Sequence, residues 1–141
     1  MDNKKLGNPI QFMEVLPHGN ALNMQLIELG EGTAALGLPY DKRLVGDPET
    51  GVVHGGPISA LMDTCCGASV MSHPDVSGMT ATIDLRINYM RAAKPGDTII
   101  ARAECHHVTR SVAFVRAVAE DTDTKTPIAT ATGTFMVGKS K

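Results

Sequence analysis

The sequence predicts an α+β fold in which a curved antiparallel sheet surrounds one long α-helix. Two patterns lead to this prediction: one long helical stretch near the middle of the chain, and several strand-like segments joined by short turns. A chain of 141 residues with 43% hydrophobic and 20% charged residues has the size and composition of one globular domain. We therefore expect residues 1–141 to form a single domain.

Short elements precede the long helix. The glycines of Gly30-Glu31-Gly32 supply the positive φ values of a hairpin turn between two strands. The elements predicted here are a lead-in segment (1–20) with a short helix (9–16) that ends near Pro17, two strands (22–29 and 33–38) and an irregular stretch (39–53).

The central helix is predicted over about residues 56–72, with Pro57 at its first helical position, where the missing proline N–H costs nothing. Its side chains are apolar on nearly every side, which is typical of a helix buried all round. One six-stranded sheet can wrap only part of such a helix. We therefore expect a second copy of the chain to cover the rest, with a homodimer as the minimal unit and a homotetramer, a dimer of dimers, as the full assembly.

Strand periodicity follows the helix. Ala81, Ile83, Leu85, Ile87 and Tyr89 alternate with polar residues, which is the period of two expected for a strand. Three further strands are predicted over residues 98–107, 111–120 and 128–137. Short turns join all four strands, so we expect them to pair in an antiparallel arrangement.

Composition excludes several classes of function. A net charge of −2 and the absence of Trp argue against nucleic acid as a partner. No apolar run approaches the roughly 18 residues of a membrane span, and the N-terminus does not resemble a signal peptide. The three cysteines form no CxxC pair, and the adjacent His106 and His107 point to opposite faces of a strand, so we expect no metal site. These observations predict a cytoplasmic protein with buried, reduced thiols.

Asp63 is the first candidate for chemistry. It is the only charged residue in the stretch 50–74, and it lies in the middle of an apolar helix. A buried carboxylate is costly unless it has a partner or a function. Its neighbours one helical turn away are small, Gly67 among them, and leave free volume beside it. A catalytic carboxylate and a structural ion pair with an arginine, such as Arg86 or Arg91, both fit this pattern.

The motif His54-Gly55-Gly56, directly before the helix, is the second candidate. Backbone N–H groups at a helix N-terminus lack intrahelical acceptors and carry the positive end of the helix dipole. Glycine at that place lets a ligand oxygen approach the backbone, as polarisation of a thioester or ester carbonyl requires. Taken alone, the motif also fits an ordinary turn before a helix.

The two candidates occur at a spacing that resembles a known family. The stretch from His54-Gly55-Gly56 through Asp63 resembles the signature of the hotdog-fold thioesterases, specifically the phenylacetate-pathway-like (PaaI-like) acyl-CoA thioesterases. The resemblance continues through a strand (82–90), the turn Lys94-Pro95-Gly96-Asp97 and the final strand (128–135). It implies a hotdog fold and hydrolysis of an acyl-CoA thioester to a free carboxylic acid and CoA.

The resemblance also implies roles for individual residues. Asp63 would act as general base or nucleophile, and Thr82 would hold the attacking water. Gly55 would polarise the thioester carbonyl through its N–H, while His54 orders the loop. The substrate-binding residues implied in the same way are Gly56, Arg91, Arg110 and Ser111, the arginines through the CoA phosphates. Active sites in this family lie between subunits, and no metal or cofactor is implied beyond the CoA part of the substrate.

Two positions depart from the family pattern. Pro48 stands where some relatives have Asn or Gln, and Gly67 stands where some have Thr. These departures leave open whether Asp63 forms a covalent anhydride or activates water. A non-catalytic acyl-CoA-binding protein is an alternative function. A hotdog enoyl-CoA hydratase or dehydratase is a weaker alternative, because no Asp precedes His54 at the spacing of those enzymes.

Overall fold

A computed structural model describes residues 15–138, in which six antiparallel strands form one sheet against a long helix. The elements in chain order are α1 (Pro17–Ala21), β1 (Gln25–Leu29), β2 (Thr33–Leu38), a 3-10 helix (Lys42–Leu44), β3 (Val45–Asp47), β4 (Val52–Val53), α2 (Gly55–Met71), β5 (Thr80–Tyr89), β6 (Ile99–Val108), β7 (Val112–Glu120) and β8 (Ala129–Val137). The predicted α+β class, an antiparallel sheet around a central helix, is confirmed.

The large sheet has the strand order β1-β2-β6-β7-β8-β5, and α2 packs across one of its faces. Strands β3 and β4 form a separate two-stranded ribbon. Small side chains on β6, β7 and β8 allow α2 to approach the sheet closely. The buried alanines of these strands are Ala101, Ala103, Ala113, Ala117, Ala119, Ala129 and Ala131. Within residues 15–138, no helix has the length and apolar character needed to cross a membrane.

The elements before the long helix differ from the sequence prediction in three ways. Helix α1 begins at Pro17 instead of ending there, because proline suits the first position of a helix. The helix predicted over 9–16 lies almost wholly outside the described residues. Strand β1 begins three residues later than predicted, because Asn23 adopts a positive φ of 59° that interrupts an extended strand. The stretch 39–53, predicted to be irregular, contains the 3-10 helix and the β3–β4 ribbon.

Helix α2 begins two residues before its proline. His54 is the N-cap residue, so Pro57 is the third helical residue and not the first. Proline at the third position removes no helical hydrogen bond, because the N–H of that residue also lacks an intrahelical acceptor. The start of α2 therefore presents Gly55 and Gly56 to its surroundings.

One face of α2 is not covered by the sheet, and we call it the open face. Its residues recur every three or four positions and remain at least partly exposed. They are Gly56, Ser59, Ala60, Asp63, Thr64, Gly67 and Met71. The all-round burial predicted from the apolar pattern is therefore incomplete in one protomer. The only carboxylate of the helix lies on this open face.

Strand β5 forms one edge of the sheet. Its ten residues pair with β8 on one side and with no strand of the described chain on the other. Four apolar side chains on or beside this strand are more than half exposed, namely Met79, Ile83, Tyr89 and Met90. A long edge strand with exposed apolar side chains is a surface suited to pairing with another chain.

Candidate active site

The carboxylate of Asp63 lies half-buried on the open face of α2. It accepts a hydrogen bond of 2.7 Å from the hydroxyl of Thr82 on β5. In the part of the chain that the structure describes, no cation forms an ion pair with it. The ion pair with Arg91 that the sequence left open is wrong, because Arg91 pairs with Asp121.

Thr82 faces the helix because β5 contains a β-bulge. Thr82 pairs with Phe135, and Asp84 pairs with Thr134, so Ile83 is an extra residue without a partner on β8. With an unbroken period of two, Thr82 would lie on the face of the sheet away from α2. The extra residue reverses that orientation. The unbroken alternation predicted for this strand is therefore wrong near its start.

His54 organises the N-terminus of α2. Its Nδ1 accepts a hydrogen bond of 2.8 Å from the Gly56 N–H, so that donor is already engaged. The Gly55 N–H, the first of the helix, has no intrahelical acceptor and is the donor left for a ligand. The Tyr89 hydroxyl donates to the Gly55 carbonyl at 3.0 Å and ties the end of β5 to the start of α2. The sequence does not predict this role of Tyr89, because a period-two pattern gives no signal for a hydroxyl contact.

Asp63 and Gly55 are not adjacent within one chain. Asp63 lies eight positions after Gly55 in one continuous helix, which is roughly 12 Å along the axis. A thioester carbonyl that accepts from an N–H and is attacked directly by a carboxylate oxygen spans roughly 7 Å between those groups, or roughly 10 Å when a water lies between the carboxylate and the carbonyl carbon. Their separation along the helix is larger than either span, which disfavours action of the two groups of one protomer on the same carbonyl.

A cavity of about 270 Å³ opens beside the carboxylate and the Thr82 hydroxyl. Its walls come from the open face of α2, the start of β5, helix α1 with the residue before it, and Phe135 of β8. The residues of its lining without a polar side chain include Leu16, Gly67, Met71, Met79 and Phe135. The site therefore sets a carboxylate and a hydroxyl at the edge of a largely apolar space.

Comparison with known proteins identifies the family. The model of the thioesterase superfamily matches residues 50–128, more than half of the chain. A relative from Halobacterium salinarum, which carries an esterase name, is 36% identical over 124 residues, covering 82% of this chain and 81% of the relative. The chain belongs to the thioesterase superfamily.

Solved structures share the fold of this superfamily member. A Pseudomonas aeruginosa protein is 40% identical, with a TM-score of 0.80 over 91% of this chain and 95% of that one. A mutant of the phenylacetic acid degradation protein PaaI from Thermus thermophilus is 24% identical (TM-score 0.76; 86% and 99% covered). A Streptococcus mutans protein bound to acetyl-CoA is also 24% identical (TM-score 0.73; 84% and 91% covered). The predicted hotdog fold and the resemblance to thioesterases are confirmed, and the PaaI protein shares this fold.

Arg91 forms a structural ion pair in this superfamily member. Its guanidinium donates two hydrogen bonds to the buried carboxylate of Asp121, at 2.8 and 2.9 Å. The other three donors bond to the backbone carbonyls of Ala92, Asp123 and Thr126. All five N–H groups are engaged, so none remains for a CoA phosphate. The substrate-binding role predicted for Arg91 is corrected to a structural one.

We expect Asp121→Asn to lower the free energy of unfolding at neutral pH. The loss should fall near the lower end of about 3–5 kcal/mol, the cost of breaking a buried ion pair, because Arg91 is partly exposed. The Arg91 hydrogen bonds hold the pKa of Asp121 well below its usual range. The stabilisation is therefore complete above about pH 5 and is lost as the pH falls below about 4 towards the depressed pKa.

Urea denaturation between about pH 7 and about pH 3 measures this dependence. The difference between wild type and Asp121→Asn should narrow with acid. Asp123→Asn, which removes an exposed carboxylate nearby, is the matched control and should track the wild type. A difference that is constant across this range would contradict the assignment to Asp121.

Arg110 and Ser111 lie exposed in the turn between β6 and β7. The Ser111 carbonyl accepts from the Val137 N–H at 3.1 Å, and Val137 lies opposite Thr80, the first residue of β5. Both residues therefore lie at the end of the sheet where β5 begins, which is also the end of the carboxylate–hydroxyl pair. The start of α2 lies at the opposite end.

Burial makes the cysteines poor nucleophiles. Cys65 and Cys66 lie fully buried in α2, and Cys105 is buried on β6. Burial raises the pKa of Cys65 to about 12, and it also raises the pKa of Cys66 and of Cys105. Because the thiolate is the reactive form, these thiols are inert at neutral pH. The prediction of buried, unpaired cysteines is confirmed.

Proposed function

We propose that this protein hydrolyses an acyl-CoA thioester to a free carboxylic acid and CoA. The observation that carries the proposal is the Asp63 carboxylate, which holds the Thr82 hydroxyl at the edge of a largely apolar cavity in a thioesterase-superfamily chain. The acetyl-CoA bound to the Streptococcus mutans protein of the same fold supports an acyl-CoA as the substrate.

Asp63 is the base or the nucleophile of the proposed reaction. In one route it takes a proton from a water held by the Thr82 oxygen, and the water oxygen bonds to the carbonyl carbon. In the other route a carboxylate oxygen bonds to that carbon, and water then hydrolyses the anhydride. In both routes the C–S bond breaks and the CoA sulfur receives a proton. The hydrogen bond from Thr82 orients the carboxylate in either case.

The N–H that polarises the carbonyl comes from a second protomer in this proposal. Antiparallel two-fold pairing of β5 with its copy brings the end of one β5 beside the start of the other. Tyr89 ties Gly55 to the end of β5, and Thr82 ties Asp63 to its start. Pairing therefore carries Gly55 of one protomer to Asp63 of the other and creates two equivalent sites per dimer.

The same dimer would cover the exposed apolar side chains of β5, which lie along the pairing edge. This dimer corresponds to the homodimer that the sequence predicts as the minimal unit. The homodimer, the homotetramer and the cytoplasmic location all stay predictions.

Arg110 and Ser111 are proposed to bind the phosphates of CoA. They lie at the end of the sheet that would receive the partner's Gly55, and a cleft of about 340 Å³ opens beside Arg110. Asp75 also lines this cleft. An exposed guanidinium can form the charge-assisted pair that a phosphate prefers. Gly56 would contribute only close approach of the backbone, because its N–H is engaged by His54.

The largely apolar cavity is proposed to hold the acyl group, and Gly67 in its wall offers a test. A Cβ at Gly67 would meet the Phe135 ring at 3.7 Å, an ordinary contact, so Gly67→Ala fits. The longer side chain of Gly67→Leu should fill the cavity. We expect Gly67→Leu to lose roughly 10-fold or more of kcat/KM on long or bulky acyl-CoAs and to keep activity on acetyl-CoA.

A thiol-release assay against short, long and aromatic acyl-CoAs measures this effect and the proposed activity together. Gly67→Ala is the control, and it should stabilise the helix by up to about 1 kcal/mol. An equal loss on every substrate would contradict the placement of the acyl group. Wild-type protein that binds acyl-CoAs and releases no thiol would contradict hydrolysis and favour the non-catalytic binding protein.

A further inference from the structure

We infer that Gly133 is a positioning residue for Thr82 and, through Thr82, for the carboxylate of Asp63. Gly133 lies on β8 opposite Leu85, next to the bulge of β5. It does not line the cavity beside Asp63, and the sequence analysis assigns it no role. The kinetic part of this inference rests on the proposed function, whereas its structural part does not.

The backbone of β5 occupies the space that a side chain at Gly133 would need. A Cβ there would collide with the backbone oxygen of Asp84. It would also lie 3.1 Å from Cα of Leu85 and 2.9 Å from its Cδ1. Two of these three atoms belong to the backbone, so a side-chain rotation cannot relieve the contact. The bulged path of β5 therefore requires glycine at this place on β8.

Loss of the bulge would reorient the start of β5. If Ile83 takes a regular place in the ladder, every residue before it turns to the other face of the sheet. Thr82 would then face away from α2, and Ile83 would face the helix in its place. Asp63 would lose its hydroxyl donor and gain an aliphatic neighbour. Gly133 thus acts on the site through backbone geometry, without touching the reacting atoms.

Gly133→Ala tests this inference, with Gly37→Ala as the matched control. Gly37 is also a strand glycine, on β2 and far from β5 in the sheet. Its Cβ would meet only side-chain atoms, the flexible end of Ile27 at 3.1 Å and the methyl group of Thr98 at 3.5 Å. We expect kcat for thiol release to fall roughly 10- to 100-fold in Gly133→Ala relative to Gly37→Ala, the usual effect of a hydrogen bond to a charged group. KM should change little. Thr82→Ala should show a similar loss, and combining it with Gly133→Ala should add almost nothing.

Deletion of Ile83 provides the second variant. It leaves Thr82 opposite Phe135 and makes the ladder regular, so a Cβ at Gly133 no longer meets a displaced backbone. Deletion of Ile83 combined with Gly133→Ala should regain most of the kcat and the thermal stability that Gly133→Ala loses. This rescue applies equally when Gly133→Ala alone does not fold.

Multiplicative losses in the double variant, or absence of rescue by the deletion, would overturn the inference. If the wild type releases no thiol, the proposed function fails, and crystal structures then decide the positioning role. The structure of Gly133→Ala would be compared with that of the wild type. If Gly133→Ala does not fold, the variant that combines it with deletion of Ile83 would be compared instead. A bulge and a Thr82–Asp63 hydrogen bond retained in Gly133→Ala would overturn that role.

Discussion

Asp63→Asn is expected to lower kcat for thioester hydrolysis by ~10²–10⁴ and to leave the fold intact. Asparagine keeps the size of the side chain, and its carbonyl oxygen can still accept the Thr82 hydrogen bond. It lacks the negative charge, so it can neither take a proton from water nor attack a carbonyl carbon. KM should change little, because the lost interaction is made mainly in the transition state.

Stability separates a catalytic Asp63 from a structural one. In residues 15–138 this carboxylate has no cationic partner, so Asp63→Asn leaves no cation without its ion-pair partner. The free energy of unfolding should change by less than about 1 kcal/mol or rise. Asp123→Asn, an exposed carboxylate lost elsewhere, should keep both kcat and stability. A folded Asp63→Asn with the kcat of the wild type would remove this residue from the mechanism.

Gly55→Pro is expected to lower kcat by ~10²–10³, the usual cost of losing one N–H donor to an oxyanion. Proline is favoured at the first residue of a helix, where no intrahelical hydrogen bond is lost. His54 has φ −60° and ψ 150°, an extended conformation that suits a residue before proline. The substitution therefore deletes the N–H and leaves the hydrogen bond from Tyr89 to the carbonyl in place.

Gly55→Ala is the control for steric effects at the same position. It keeps the N–H, and its Cβ would lie 3.5 Å from the Tyr89 ring, an ordinary van der Waals contact. Thiol-release kinetics and melting temperatures of the two variants separate the effect of losing the N–H donor from the steric effect of added side-chain atoms. Equal kcat values for Gly55→Pro and Gly55→Ala would contradict the oxyanion role of this N–H.

The central helix and its carboxylate could be predicted from the sequence for local reasons. A long apolar stretch that begins after a Gly-Gly-Pro motif indicates a buried helix, and one charge within it stands out. The separation of Gly55 and Asp63 also follows from the helical rise alone, so the proposal of a site shared by two protomers has its basis in the spacing of these residues.

The bulge and the Arg91 ion pair depend on contacts between distant parts of the chain. The extra residue in β5 is defined only by its pairing with β8, and the one signal in the sequence is Gly133 within a strand of Thr and Ala. Asp121 is 30 residues from Arg91, and no local pattern connects them. Sequence periodicity cannot show either contact.

The most direct test of the central claim is a heterodimer of one Asp63→Asn protomer and one Gly55→Pro protomer, purified through two different affinity tags. Each parent homodimer should be nearly inactive in thiol release. The heterodimer retains one intact site, built from Asp63 of one protomer and Gly55 of the other, and should recover about half of the wild-type kcat per dimer. A heterodimer as inactive as both parents would contradict a thioesterase site shared between two protomers.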